Sequence, residues 1–292
     1  MRSLNKKIIR LLLIVVLGIV GVAEYKINSN QLHFDNSKIS NQSALVSSKE
    51  NNSSDNNNPQ SSNDSYGGIT SLQYQELANL NFKSGDSPVY VVNNNQSTLN
   101  PHSWTGNKVI YQNLDNLNRT SGSNTGFLEQ RNVANSSLRV RQYIQPTGWH
   151  YNRRNGTQIY NRGHLIAYSV SKGIGQSGNY NPNEQSGDQN NLKNLFTQSA
   201  FSNQDVQTMY EAKVRNALKQ GRRVIYQATP IFQGNDLMAK GINLQAISTD
   251  GSLNFNVYIF NVQPGYAFNY ATGRYRMDRN MKVNWNYSYK DF

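Results

Sequence analysis

The 292-residue chain contains no cysteine. Disulfides, thiolate metal sites and a cysteine nucleophile are thereby excluded, and any metal must be held by oxygen or imidazole. Histidine is scarce as well: the four are His33, His102, His150 and His164. Acidic side chains number 17 against 29 Lys and Arg, for a net charge of +12. The excess is not confined to one end, since residues 1–26 carry +4, residues 27–66 carry −2 and residues 67–292 carry +10. A basic folded part suits a protein that meets polyphosphate. Solubility, or attraction to wall and membrane anions, would call for the same balance.

Long apolar runs are missing too. Leu11–Ala23 is an uncharged stretch of 13 residues, short of the roughly 20 that a comfortable membrane span needs. It comes after Arg2, Lys6, Lys7 and Arg10, the layout of a signal peptide core, with Gly21-Val22-Ala23 as a small-x-small cleavage site. Residues 1–23 are therefore read as a signal peptide or a signal anchor. The positive flank stays cytoplasmic and the chain beyond Ala23 lies outside, either secreted or tethered to the membrane by the uncleaved segment. Residues 24–68 are read as a disordered linker, because six Asn and five Ser help fill the 15 positions from Asn51 to Ser65. Such a stretch buries too little apolar surface to offset its ordering entropy.

From Ile69 the pattern becomes globular. Leu72, Tyr74, Leu77, Ala78 and Leu80 predict a short helix, and Val89–Val92 a strand. Residues 242–247 and 253–259 alternate with period two around Asp250-Gly251, a strong hairpin signal. Val224-Ile225-Tyr226 predicts another strand, and Val206, Tyr210, Val214, Ala217 and Leu218 a helix. Strands and helices mix without regular βαβ alternation, so residues 69–292 are read as one α+β domain.

Among the histidines, His33 borders the linker, His102 adjoins Pro101, and His150 comes directly after Thr147-Gly148-Trp149. His164 stands apart, in Asn161-Arg162-Gly163-His164 between apolar, strand-like residues. A lone histidine there is more often structural, and the motif is short. Its partners come downstream, in Gln198-Ser199-Ala200-Phe201-Ser202-Asn203-Gln204 and Tyr210-Glu211-Ala212-Lys213-Val214-Arg215. With these three blocks in order, the chain resembles the DNA/RNA non-specific endonucleases of the ββα-metal class, in particular the exported DNA-entry nucleases of Gram-positive bacteria. Leu114–Arg119, Pro146–Trp149 and Asp250–Val257 extend the likeness over most of residues 69–275.

The resemblance implies a ββα-metal core on a central antiparallel sheet with flanking helices. It also implies cleavage of DNA and RNA, with Mg²⁺ as cofactor, Mn²⁺ as a substitute, His164 as general base and Asn203 as the direct metal ligand. Elementary chemistry agrees. A neutral imidazole accepts a proton from water near pH 7, and Mg²⁺ polarises the phosphate while keeping most of its waters. On one straight α-helix, Glu211 would lie roughly 12 Å and 80° from Asn203, so it reaches back only to a water of the ion, or else pairs with Arg215. Gln198 is a further candidate for supporting the ion or touching phosphate. Arg162 is a candidate for bidentate contact with the scissile phosphate or for a structural ion pair. The family's leading Asp is Asn161 here, which loses a negative charge. Arg139, Arg141, Arg153, Arg154, Lys193 and the Arg274–Arg279 segment are available for phosphate contacts. Two other readings are a non-catalytic surface protein that binds extracellular nucleic acid or wall polymers, and an unrelated hydrolase with His164 as nucleophile. No Ser/Asp arrangement speaks for the latter.

Overall fold

A computed structural model describes residues 66–150, 153–154 and 156–287. The expectations for the N-terminal segment and nearly all of the linker lie outside the described residues. Among the described residues, no helix is long and apolar enough to cross a membrane.

The centre is a six-stranded, wholly antiparallel sheet. Its first three strands are β1 (Val89–Val91), β2 (Lys108–Ile110) and β3 (Asn124–Leu128). After a two-residue ladder of 153–154 with 157–158, a separate pair follows, β4 (Tyr160–His164) with β5 (Leu195–Ser199). The sheet is completed by β6 (Val224–Ile231), β7 (Gly241–Ser248) and β8 (Asn254–Phe260), in the spatial order β1-β8-β7-β6-β3-β2. The expected hairpin is there. β7 and β8 pair from Ile247 opposite Asn254 to Gly241 opposite Phe260, and Asp250 and Gly251 lie in the turn between them. Gly251 adopts φ +72°, which a residue with a side chain enters only at a cost. Both outer strands have only three residues, which limits the unpaired edge.

Among the described residues, two α-helices flank the sheet. Helix α1 (Ser71–Asn79) opens on a capping box in which Thr70 and Gln73 satisfy each other's backbone N–H groups. Its Tyr74 and Leu77 pack with Ile231, Tyr258 and Phe260. Helix α2 (Thr208–Lys219) buries Val214, Ala217 and Leu218 against Val224, Tyr226, Leu244 and Val257 in the largest apolar cluster. Packing already includes Tyr66, which joins Leu99, Phe127, Ile225 and Ile247.

The period-two alternation does not mark a solvent face. Gln227, Asn243, Gln245 and Asn256 are all buried. Gln245 Oε1 accepts hydrogen bonds from Thr98 N (2.9 Å), Thr98 Oγ1 (3.1 Å) and Ser97 Oγ (3.0 Å), and Gln227 Oε1 accepts from Ile69 N (3.2 Å). The segments around residues 66–69 and 97–98 thus cover this face with hydrogen bonds, meeting the requirement that buried polar groups find partners.

Candidate active site

Beside the main sheet, the antiparallel pairing of β4 with β5 places Asn161 opposite Gln198 and His164 opposite Leu195. The chain then enters a π-helical segment, Ser202–Gln207, that continues as α2. This is a ββα unit, as expected. Polar stitches dock it onto the sheet. Asn261 Oδ1 accepts from Ser199 N (2.7 Å), Asn261 Nδ2 donates to the Thr197 carbonyl (3.1 Å), and Ser202 Oγ donates to the Phe260 carbonyl (2.6 Å).

The π-helical segment changes one expectation. Asn203 and Glu211 are not on one straight α-helix, because the first turn is wound wider, with Thr208 N donating to the Asn203 carbonyl five residues back. Gln207 sits between them and joins them through side chains. Gln207 Nε2 donates to Glu211 Oε1 (2.8 Å) and to the His164 carbonyl (2.8 Å). Its Oε1 accepts from Gln198 Nε2 (3.0 Å), and Gln198 Oε1 accepts from Asn203 Nδ2 (2.9 Å). Asn203 Oδ1 in turn accepts from Asn161 Nδ2 (2.9 Å), and Asn161 Oδ1 accepts from Gln158 Nε2. Gln198 is 1 % exposed, so it supports Asn203 from within the protein instead of facing solvent.

His164 lies at the end of β4 and is partly exposed. Its Nε2 faces the Gln189 carbonyl at 3.2 Å, and Gln142 Nε2 lies 3.3 Å from both that oxygen and the ring nitrogen. The carbonyl only accepts, and the Gln142 NH₂ has the same oxygen to donate to, so a hydrogen on Nε2 satisfies the arrangement and leaves Nδ1 its lone pair. Burial pushes the imidazole down to about 4; the Arg139 charge acts the same way, and the Gln189 carbonyl opposes both. The ring is therefore neutral near pH 7. Burial also raises the Glu211 carboxyl above its ordinary value, while the Gln207 hydrogen bond and the charges of Arg215 and Arg139 pull it back.

Arg139 is the cation whose charge reaches both His164 and Glu211; it is exposed, with its guanidinium 5.2 Å from the Tyr168 ring centre. Arg162 is anchored. Its Nε donates to the Ile144 carbonyl, and its guanidinium lies 4.5 Å from the Trp149 ring centre. Lys193 Nζ donates to Asn113 Oδ1 (2.8 Å), and Arg276 pairs with Asp278 (3.4 Å). Arg141 and Arg153 are exposed. His102 is exposed and His150 contacts the Thr272 carbonyl (2.7 Å), both apart from the cluster around His164.

The donor set suits a hard cation that keeps its waters. Among the described residues, no group of three His, Asp or Glu could hold a metal. Asn203 offers a carboxamide oxygen and Glu211 a carboxylate, which is what a largely hydrated Mg²⁺ requires.

Sequence reasoning missed Gln207, Gln189, Gln142 and Gln158. Gln207 had a signal, since it lies four residues after Asn203 and four before Glu211. Gln189 had none, because it acts through its backbone.

The family model for DNA/RNA non-specific endonucleases matches residues 96–250. NucA from Streptococcus agalactiae, in a crystal structure with magnesium bound, is 31% identical with a TM-score of 0.56, covering 72% of this chain and 97% of that one. Its metal-free form is 30% identical with a TM-score of 0.55, covering 70% and 96%. A deoxyribonuclease of Streptococcus dysgalactiae subsp. equisimilis is 40% identical over 50 residues, which make up 17% of this chain and 15% of that protein. With the family model over more than half of its length and the ββα unit in place, the chain belongs to the DNA/RNA non-specific endonuclease family.

Proposed function

We propose that the protein is a Mg²⁺-dependent endonuclease that hydrolyses DNA and RNA without sequence preference, outside the cytoplasm. The observation that carries this reading is the His164 ring, held neutral with Nε2 on the Gln189 carbonyl and Nδ1 left to accept a proton. His164 Nδ1 takes the proton of a water that attacks phosphorus, the bond from phosphorus to one ester oxygen breaks, and that oxygen takes a proton from solvent water to leave as a hydroxyl. Asn203 would hold the cation and Glu211 would support it through water; when bound, the ion supplies positive charge to the phosphate oxygens. Arg139 adds charge beside the same pair of residues. Indifference to sequence is expected if affinity comes from phosphate contacts, which carry no base information. The extracytoplasmic placement rests on the sequence of residues 1–23. The NucA structure with magnesium supports the choice of metal.

The test is incubation with supercoiled plasmid and with structured RNA, each with Mg²⁺, with Mn²⁺ and with EDTA. Cleavage of both substrates with either metal, silenced by EDTA and spread over many sites, is the expected result. Binding should also weaken steeply as salt rises. Binding without turnover would favour the non-catalytic surface protein, and cutting at one short site would overturn the claim of indifference to sequence.

A further inference from the structure

The amide side chains of the site form a line with a direction. From Gln158 the hydrogen bonds run through Asn161, Asn203, Gln198 and Gln207 to Glu211, each amide donating to the next oxygen. A carboxamide has a donor end and an acceptor end, so turning one member over sets oxygen against oxygen and nitrogen against nitrogen at its neighbours. The line is therefore consistent only when every member points forward or every member points back.

Its far end makes the choice. The NH₂ of Gln207 meets two acceptors at once, the Glu211 carboxylate and the His164 carbonyl, both at 2.8 Å. Neither would tolerate the Gln207 oxygen. Gln207 is fully buried, so no solvent competes for either contact. Its Oε1 must then face Gln198 Nε2, Gln198 Oε1 must face Asn203 Nδ2, and Asn203 Oδ1 is left pointing toward Asn161.

We propose that Gln207, pinned by Glu211 and the His164 carbonyl, is a positioning residue that sets the orientation of the Asn203 carboxamide so that its oxygen, and not its nitrogen, is offered to the cation. This rests on the nuclease reading for the identity of the cation. Gly163 supplies the space. A Cβ there would lie 2.2 Å from Gln198 Oε1 and 2.8 Å from Gln198 Cβ, so any other residue would displace the link that holds Asn203. The glycine between Arg162 and His164 thus serves the relay. The same geometry gives Asn161 a second effect, because its Nδ2 occupies the Asn203 oxygen that the cation needs, and binding has to break that hydrogen bond.

The experiment uses the full chain, free of nucleic acid. In the cation-free native protein, side-chain amide NMR should show a through-hydrogen-bond coupling from Asn203 Nδ2 to the Gln198 side-chain carbonyl, and one from Asn161 Nδ2 to the Asn203 side-chain carbonyl. Mg²⁺ titrated alone by calorimetry should bind Gln207→Met roughly three- to tenfold more weakly than native, the weight of losing one hydrogen bond's preference. In that variant the coupling from Asn203 Nδ2 to Gln198 should weaken as the amide rotates between both orientations, a motion fast enough to average its signals. Because Gln207 is buried and its loss risks unfolding, Gln198→Met breaks the same line one link nearer Asn203 and should act alike. A coupling from Asn203 Nδ2 to the Asn161 side-chain carbonyl in the native protein, the reverse direction, would overturn the proposal, as would native Mg²⁺ affinity in folded variants. If the native protein neither binds Mg²⁺ nor cuts nucleic acid, the functional reading fails, while the NMR couplings still decide whether the relay exists.

Discussion

Replacing Asp188 by Asn should stabilise the domain at neutral pH. Asp188 is 6 % exposed, and its Oδ2 has no hydrogen-bond partner. Burial raises its carboxyl to about 6, with the Glu184 charge adding to the rise and Asn191 opposing it. An aspartate in water titrates at 3.8, so at pH 7.5 the folded protein ionises this group at a cost of about 3 kcal/mol relative to the unfolded chain. A folded carboxyl pKa above the unfolded one favours folding fully below about pH 4, and that contribution is lost as pH rises through 6. The neutral amide keeps the shape and removes the ionisation cost. Burying the amide's own N–H groups where Oδ2 has no partner takes back about 1–2 kcal/mol, which leaves a gain of about 1–2 kcal/mol, or roughly 3–6 °C in Tm for a domain of this size. Thermal unfolding without metal, at steps from pH 7.5 to pH 4, reads it directly. The gain should shrink as pH falls. A destabilised variant at pH 7.5, or a gain that does not change with pH, would refute the reasoning.

His164→Ala should lower cleavage by about 10²–10⁴-fold, the usual weight of a general base, with plasmid binding intact by gel shift; loss of folding would make the residue structural. Asn203→Ala should lower activity at least about a hundredfold, with partial recovery at high Mg²⁺ or Mn²⁺ because the remaining ligands are waters; full activity at limiting metal would move the ligand elsewhere. Asn161→Asp removes the NH₂ that occupies the Asn203 oxygen and adds a charge. It should leave turnover within about tenfold and reduce the Mg²⁺ needed for half-maximal rate by roughly tenfold, about 1.4 kcal/mol; a variant that needs more metal would contradict this. With the imidazole held at about 4, the base stays neutral in mild acid, so at saturating Mg²⁺ activity should persist to about pH 5.5. A midpoint at about 6.5 or above would show that the ring is not held neutral.

Local signals carried much of this architecture. Residues 242–259 declared a hairpin because period two and Asp250-Gly251 are both local, and helix α2 showed itself through Val214, Ala217 and Leu218. The grouping of His164, Asn203 and Glu211 came from resemblance, since nothing in the spacing of single residues says that β4 and β5 pair. The π-helical winding at Ser202–Gln207 escaped, because an apolar repeat marks a buried face and not the width of a turn. Arg162 reads in the sequence as a phosphate ligand or an ion-pair member, and its anchorage by Trp149 and the Ile144 carbonyl is set by tertiary contacts that no local pattern marks. The partner of the His164 ring is a main-chain oxygen, and every residue has one of those.

The face of the sheet carrying Gln227, Asn243 and Gln245 has a consequence for how the molecule fails. It is sealed by the first stretch of the folded chain, through contacts to Ile69, Ser97 and Thr98. When that cover peels back, water meets a strip of carboxamides, which hydrate readily, and beside it Phe127, Ile225 and Ile247, which lose Tyr66 and Leu99. The carboxamides lower the cost of opening, and the apolar patch supplies the drive to close again.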